Sequence, residues 1–309
     1  MRFKISNFKF IFRAGVWKPR TSPNTFQGIG EEGLKWLQEV KERFGIPVAT
    51  EVATPEQVVK ALEAGIDYLW IGARTSANPI AVQSIADGLK VKGERLKVKG
   101  FLIKNPVNAD AALWLGNIER LEQTGVPVIA VHRGCNHQPC WFMAHEVRTK
   151  RPDIPMLLDP SHMSGDATKI AELMKKTEEL GLNGAMIEVH CCPEKALSDP
   201  KQQITPEAMS AALNDGMSAT KSLNDVELNW LRAEIDELDE QLWSTIEARM
   251  DVSRRIGEWK KAHGVAPLQP ERYKEIVERL KSRVESQESR DFMLRIWELI
   301  HEESLRKQQ

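Results

Sequence analysis

Glycine and proline all but stop at residue 222. Only Gly257 and Gly264 of 19 glycines follow that point, and only Pro267 and Pro270 of 16 prolines. Turn-forming residues punctuate alternating elements, and their absence marks long helices. Residues 1–214 therefore read as an α/β domain and 224–309 as an all-helical one, joined by a linker over 215–223. The 309 residues suffice for two such domains.

Composition then narrows the class. Lys plus Arg is 43 against 44 for Asp plus Glu, so there is no overall basic field and nucleic acid is not the expected partner. No uncharged apolar run approaches the roughly 18–20 residues that span a bilayer. The opening MRFKISNFKFIFRAG lacks the apolar core of a secretory signal. Four cysteines, Cys135, Cys140, Cys191 and Cys192, are too few for a disulfide scaffold. A soluble, cytoplasmic enzyme is the expectation.

Seven short apolar runs recur between amphipathic stretches: 8–15, 47–52, 68–73, 101–105, 128–134, 156–162 and 185–190. Repeated βα units of this size imply a parallel sheet. Each run closes on a charged or polar residue: Arg13, Glu51, Arg74, Lys104, Arg133, His162 and Glu188. Strands that end this way point to a (β/α)8 TIM-type barrel, whose chemistry lies at the C-terminal face. An open doubly wound sheet is the runner-up, without a GxGxxG fingerprint to support it. Seven strands leave the barrel one short. Either residues 2–6 supply the eighth or the first βα unit is lacking, and the second reading is preferred.

Lys18, Arg20, Arg74, Lys104 and Arg133 on one rim would make a site for small, multiply charged anions, which arginine binds bidentately. His162, Glu188 and Asp199, from DPSH, IEVH and LSDPKQQ, have the chemistry to hold a divalent cation as Lewis acid. Cys135, His137, Cys140 and His145 lack a standard zinc spacing, so a loop thiol pair is the preferred reading. His132 and His190 line the site or serve a structural hydrogen bond.

The stretches WKPRTSPNTFQGIGEEGL, VATEV, WIGART, IKNPVN, HRG, DPSH and EVHCCPEKALSDPKQQ, within about residues 8–213, resemble 3-deoxy-D-arabino-heptulosonate-7-phosphate (DAHP) synthase of the type Iβ class. The resemblance implies a metal-dependent TIM barrel condensing phosphoenolpyruvate with erythrose 4-phosphate. It implies Lys18, Arg74, Lys104 and Arg133 on phosphoenolpyruvate, with Lys104 among the catalytic groups, and Arg20 and Thr21 on the tetrose phosphate. His162, Glu188 and Asp199 would ligate a divalent metal of the Mn, Mg, Co or Zn class. Two departures stand out: the family's Gly-Pro-Cys-Ser strand with a fourth ligand is absent, and the segment after HRG is short. Cys191 or Cys192 could replace that ligand.

Residues 224–262 read as one helix with two heptad seams. Leu228, Ile235, Leu242, Arg249 and Ile256 form one; Leu231, Leu238, Thr245, Val252 and Trp259 form the other. Arg249 within an apolar seam calls for an anion, and Lys260 returns to within about 20° of its face while Arg232 points elsewhere. A shared anion site in a helical dimer is the preferred reading, over a plain coiled coil with snorkelling cations.

LRAEIDELDEQL, ARMDVSRRIGEWK, PERYKEIVERL and LIHEESLRKQQ resemble an AroQ-class chorismate mutase. That resemblance implies a three-helix homodimer rearranging chorismate without a cofactor. Arg249, Lys260, Arg272, Ser304 and Gln308 would line its site, with Arg232 from the other protomer; Lys260 and Gln308 would serve the ether oxygen and the arginines the carboxylates. Tyr273 and Gln269 stand where relatives carry acidic residues. A bifunctional shikimate-pathway enzyme is the first expectation. The alternative is a synthase-inactive barrel that acts as scaffold or regulatory partner for a mutase dimer.

Overall fold

The computed structural model describes residues 9–20, 22–91, 98–215, 223–282 and 286–308. Seven strands form one parallel sheet in sequential order: β1 (Phe12–Arg13), β2 (Val48–Glu51), β3 (Tyr68–Ile71), β4 (Gly100–Lys104), β5 (Val128–His132), β6 (Met156–Leu158) and β7 (Gly184–Ala185). Helices between them are α1 (Glu32–Phe44), α2 (Pro55–Glu63), α3 (Ala73–Ser76), α4 (Pro79–Val91), α5 (Ala111–Glu122), α6 (Trp141–Lys150), α7 (Pro160–Ser164) and α8 (Ile170–Glu179). After them come α9 (Pro206–Asp215), α10 (Leu223–His263), α11 (Pro270–Lys281) and α12 (Gln287–Arg306). Among the described residues the sheet is a curled barrel wall of seven strands, β1 and β7 forming its edges.

Local chemistry places these elements. Every residue of β4 is buried, as befits a strand covered on both faces. Thr54 accepts from Gln57 N and precedes Pro55 at the start of α2, and Asp110 accepts from Leu113 N at the start of α5, both standard N-caps. The core between sheet and helices contains Phe101, Ile103, Trp114, Ile118 and Leu121. Lys104 pairs in register with Val131, and His132 with Leu158, so successive strand ends bring Lys104, Arg133 and Asp159 side by side.

Two compact units part at Glu234 and Ile235, inside α10. The first turns of α10 belong to the α/β unit because Trp230 is buried there. Its Nε1 donates to Leu180 O at 3.0 Å, Trp141 packs against its edge, and the His145 ring stacks on it. His145 is flanked by Glu234 and Glu227, at 2.5 and 3.2 Å. In the helical unit, a Cβ on Gly257 would lie 2.5 Å from Gln308 Cα; only glycine lets the chain's last turn lie against α10. No helix among the described residues is long and apolar enough to cross a membrane.

Candidate functional sites

A cavity of about 520 Å³ opens among the C-terminal ends of the strands, within the range of small-ligand pockets. Arg13, Lys18, Arg20, Arg74, Lys104 and Arg133 all reach it, together with His162, Glu188 and Asp199. The rim residues expected from strand ends thus meet in one place. Thr21 lies outside the described residues.

Three carboxylates organise the cations. Asp159 is fully buried; its Oδ2 lies 2.7 Å from Lys104 Nζ and 3.0 Å from His162 Nδ1. It also accepts from His162 N and so caps α7. Burial alone would raise Asp159, but His162 and Lys104 outweigh it and hold the carboxyl well below its ordinary range. Glu188 accepts from Arg13 at 3.0 Å and from Gln202 at 2.8 Å. Burial opposes its ionisation, yet His162 and Arg13 hold it down to about 2. Asp199, in a left-handed backbone conformation, receives Arg20 on both oxygens at 3.3 and 3.0 Å.

Cations outnumber carboxylates around the cavity, and two of them are partly desolvated. Lys18 donates to Ser198 at 2.6 Å, and burial lowers its pKa despite Glu188. Arg133 is buried; its Nη2 donates to His162 O at 3.3 Å, and desolvation lowers its pKa. Arg74 is exposed at the start of α3, its Nη1 3.5 Å from Pro19 O. Buried cations facing a cavity gain most from a bound anion, since the local dielectric is low.

The three expected metal ligands do not gather. His162 Nε2 is 3.8 Å from Glu188 Oε1, but Asp199 is committed to Arg20 and Glu188 to Arg13. Among the described residues no group of three or more His, Cys, Asp or Glu side chains is arranged to hold a metal ion. The donor chemistry suits a divalent cation; this arrangement, with guanidinium groups on two of the three donors, does not fit one. No disulfide joins the four cysteines, and Cys192 Sγ donates to Glu194 rather than joining His162 and Glu188.

Two further residues shape the site: Glu51, which the strand-end pattern names without a role, and Asn105, which it leaves out. Glu51 is half-buried at the edge of the cavity, and desolvation raises its pKa in spite of Lys104 and Arg13. A Cβ on Gly72 would fall 2.1 Å from its Oε1, so Gly72 makes room for this carboxyl. Asn105 donates to Gly134 O at 3.0 Å and accepts from Arg133 N at 2.7 Å, tying the β4 end to the β5 end. Its place after Lys104 in IKNPVN was the only signal. His132 serves structure: it is fully buried, bonds Pro139 O at 2.7 Å, and burial lowers its pKa to about 4.

In the helical unit Arg249 bonds Ser304 and lies 4.9 Å from the centre of the Trp297 ring. Lys260 is buried and donates to Pro267 O at 2.5 Å and Gln308 Oε1 at 3.0 Å. These pairs bring four of the expected mutase residues together as two couples. Arg272 instead pairs with Glu275 on its own helix at 3.1 Å. Arg232 is exposed and belongs to the first unit.

Comparison with known proteins follows the same division. The sequence model of the DAHP synthetase I family matches residues 2–224, and that of chorismate mutase type II matches residues 231–309. Phospho-2-dehydro-3-deoxyheptonate aldolase of Thermotoga maritima is 31% identical over 201 residues, covering 63% of this chain and 56% of the relative. The chain thus spans little more than half that relative's length. A 2-dehydro-3-deoxyphosphooctonate aldolase of Desulfatibacillum aliphaticivorans is 27% identical, covering 69% of this chain and 81% of the relative. A crystal structure of the Thermotoga maritima DAHP synthase superposes with a TM-score of 0.58 at 30% identity, covering 66% of this chain and 59% of that one.

Proposed function

The chain belongs to the DAHP synthetase I family and carries a chorismate mutase type II region at its C-terminal end, and from that premise we propose that it is bifunctional. The barrel condenses phosphoenolpyruvate with erythrose 4-phosphate, and the helical unit converts chorismate to prephenate. The observation that carries the first activity is the convergence of Lys18, Arg20, Lys104 and Arg133 on one cavity.

Phosphoenolpyruvate is a small trianion. Lys104 and Arg133, with Lys18 and Arg74 on the rim, take its carboxylate and phosphate, while Arg20 takes the tetrose phosphate. Fixing both reactants brings C3 of phosphoenolpyruvate onto the aldehyde carbon, turning a bimolecular encounter into a positioned one. The new C–C bond leaves positive character at C2, where water adds before phosphate departs. Glu51, whose pKa burial raises, faces the same cavity, and the aldehyde oxygen takes up a proton as it becomes a hydroxyl. The cations stabilise the developing charge on phosphate without reorganising.

Members of this family are generally metal-dependent. A divalent ion on His162, Glu188 and Asp199 would compete with Arg13 and Arg20 for the carboxylates, so no step is assigned to it. That competition favours the second reading, a barrel without synthase turnover that serves a mutase dimer.

The mutase chemistry needs no nucleophile. Arg249 binds a carboxylate of chorismate, and Lys260 with Gln308 stabilises the ether oxygen as the C–O bond breaks. A second copy of the chain completes the unit: Ile235, Leu238, Leu242, Val252, Ile256 and Trp259 are each 42–61% exposed along α10, an apolar seam that a partner helix would cover. Arg232 then reaches the partner's site. The substrates are soluble phosphates and carboxylates, in keeping with a cytoplasmic setting.

Calorimetric titration with phosphoenolpyruvate tests the barrel reading. Wild-type protein binds it, and Arg133→Ala weakens binding by about tenfold or more, the worth of one charge-assisted contact. Equal affinities for both proteins would remove the assignment.

A further inference from the structure

The residues assigned above to the helical unit account for the carboxylates and ether oxygen of chorismate. They leave its ring hydroxyl without a partner. On α12 the side chains one turn before Ser304 are not idle. Trp297, His301 and Ser304 recur at intervals of four and three, the spacing of one helical face. Trp297 lies against Arg249, and Ser304 bonds the same guanidinium, so His301 sits between two contacts of Arg249.

His301 carries a polar atom with nothing to bond. Its Nε2 is buried and has no hydrogen-bond partner among the described residues. Buried polar groups are almost always paired, so an orphan of this kind calls for an explanation, and a ligand atom would supply its missing partner. The imidazole is held in a fixed plane: the Tyr273 ring from α11 stacks on it with centroids 4.1 Å apart and planes at 22°. Burial lowers the His301 pKa, and Arg249 and Lys260 lower it further against Glu302. An uncharged imidazole is a poor partner for a carboxylate beside two cations and a good one for a hydroxyl, to which it donates or from which it accepts.

We propose that His301 is a substrate-binding residue of the helical unit, its Nε2 hydrogen-bonded to the hydroxyl of chorismate, with Tyr273 as the positioning residue that holds the imidazole. The assignment rests on the mutase reading and names residues that reading does not use. It also gives Tyr273 a function at a position where a carboxylate was expected. The hydroxyl is carried unchanged into prephenate, so the contact persists from substrate to product.

The test uses the full-length chain with two substrates, chorismate and its analogue bearing hydrogen in place of the ring hydroxyl. His301→Ala lowers kcat/KM for chorismate about tenfold, the effect of one lost hydrogen bond in a binding site, and leaves kcat/KM for the analogue within about twofold. His301→Gln, which keeps a donor near the Nε2 position, recovers most of the loss. Tyr273→Phe retains the stack and behaves as wild type, whereas Tyr273→Leu shows the same hydroxyl-selective loss as His301→Ala. In unmutated protein, addition of prephenate shifts the ¹⁵N resonance of His301 Nε2. An equal loss for both substrates in His301→Ala, or an Nε2 resonance unmoved by saturating prephenate, overturns the proposal. Wild-type protein that neither turns over chorismate nor binds prephenate instead overturns the mutase reading beneath it.

Discussion

Lys104 Nζ lies 2.7 Å from Asp159 Oδ2, with both side chains almost wholly shielded from solvent. The pair joins the end of β4 to the residue after β6, and Asp159 also fixes His162 through its ring and its backbone N–H. One buried carboxylate thus sets the position of an anion-binding ammonium and of the imidazole beside Glu188. Removing it strands a charge, which costs far more than the intact pair contributes.

Asp159→Ala should therefore destabilise the α/β unit by about 3–5 kcal/mol, the loss seen when one member of a buried ion pair is deleted. Urea unfolding followed by the tryptophan signal reads this directly. A variant within about 1 kcal/mol of wild type, typical of a solvent-screened pair, would contradict the description of the site.

His132 makes a pH-dependent contribution. Burial lowers its pKa from 6.5 to about 4 in the folded chain, so between these values the unfolded state binds a proton that the folded state does not. Stability is then complete above pH 6.5 and falls as pH drops toward 4, by about 3 kcal/mol for this one group. His132→Phe should flatten the fall. Denaturation midpoints of the two proteins at pH 7 and pH 5 compare the slopes, and parallel losses would exclude His132 as the source.

Trp230 tests the division within α10. Its ring is fully buried among residues of the first unit and its Nε1 bonds Leu180 O. Trp230→Ala should cost the first unit about 3–5 kcal/mol, as for large aromatic truncations in a core. A chain ending at residue 234 should keep the thermal midpoint of that unit, and one ending at residue 222 should lose it. Equal midpoints would mean that these turns of α10 are dispensable.

Arg249→Ala should reduce chorismate turnover about 100-fold or more, in the range for loss of a group that stabilises a charged transition state. Arg249→Lys should not restore it, because the guanidinium both lies on Trp297 and bonds Ser304, and an ammonium reproduces neither geometry. Steady-state loss of chorismate absorbance measures both. Normal turnover in either variant would remove Arg249 from the site.

The strands and the long helix were legible because apolar runs and missing turn residues are local signals. The strand-end cations were legible for the same reason: parallel topology sends all such ends to one face. What local patterning does not encode is which oppositely charged groups claim one another. Asp199 reads as a ligand in LSDPKQQ, yet it meets Arg20 from a loop far away in sequence. Asn105 matters through bonds to Gly134 and Arg133 across strands that no spacing announces. Trp230 looks like one more residue of a heptad helix until its burial against Leu180 is seen, and the Tyr273–His301 stack unites α11 with α12.

The most direct test of two separate sites in one chain is to follow phosphate release and chorismate loss in the same preparations. In wild-type protein supplied with Mn²⁺, phosphate should leave phosphoenolpyruvate only when erythrose 4-phosphate is present, and chorismate should be consumed. Arg133→Ala should lose the first reaction and keep the second, and Arg249→Ala should do the reverse. Chorismate loss with no phosphate release dependent on erythrose 4-phosphate would contradict the synthase assignment and leave the barrel as the support of a mutase.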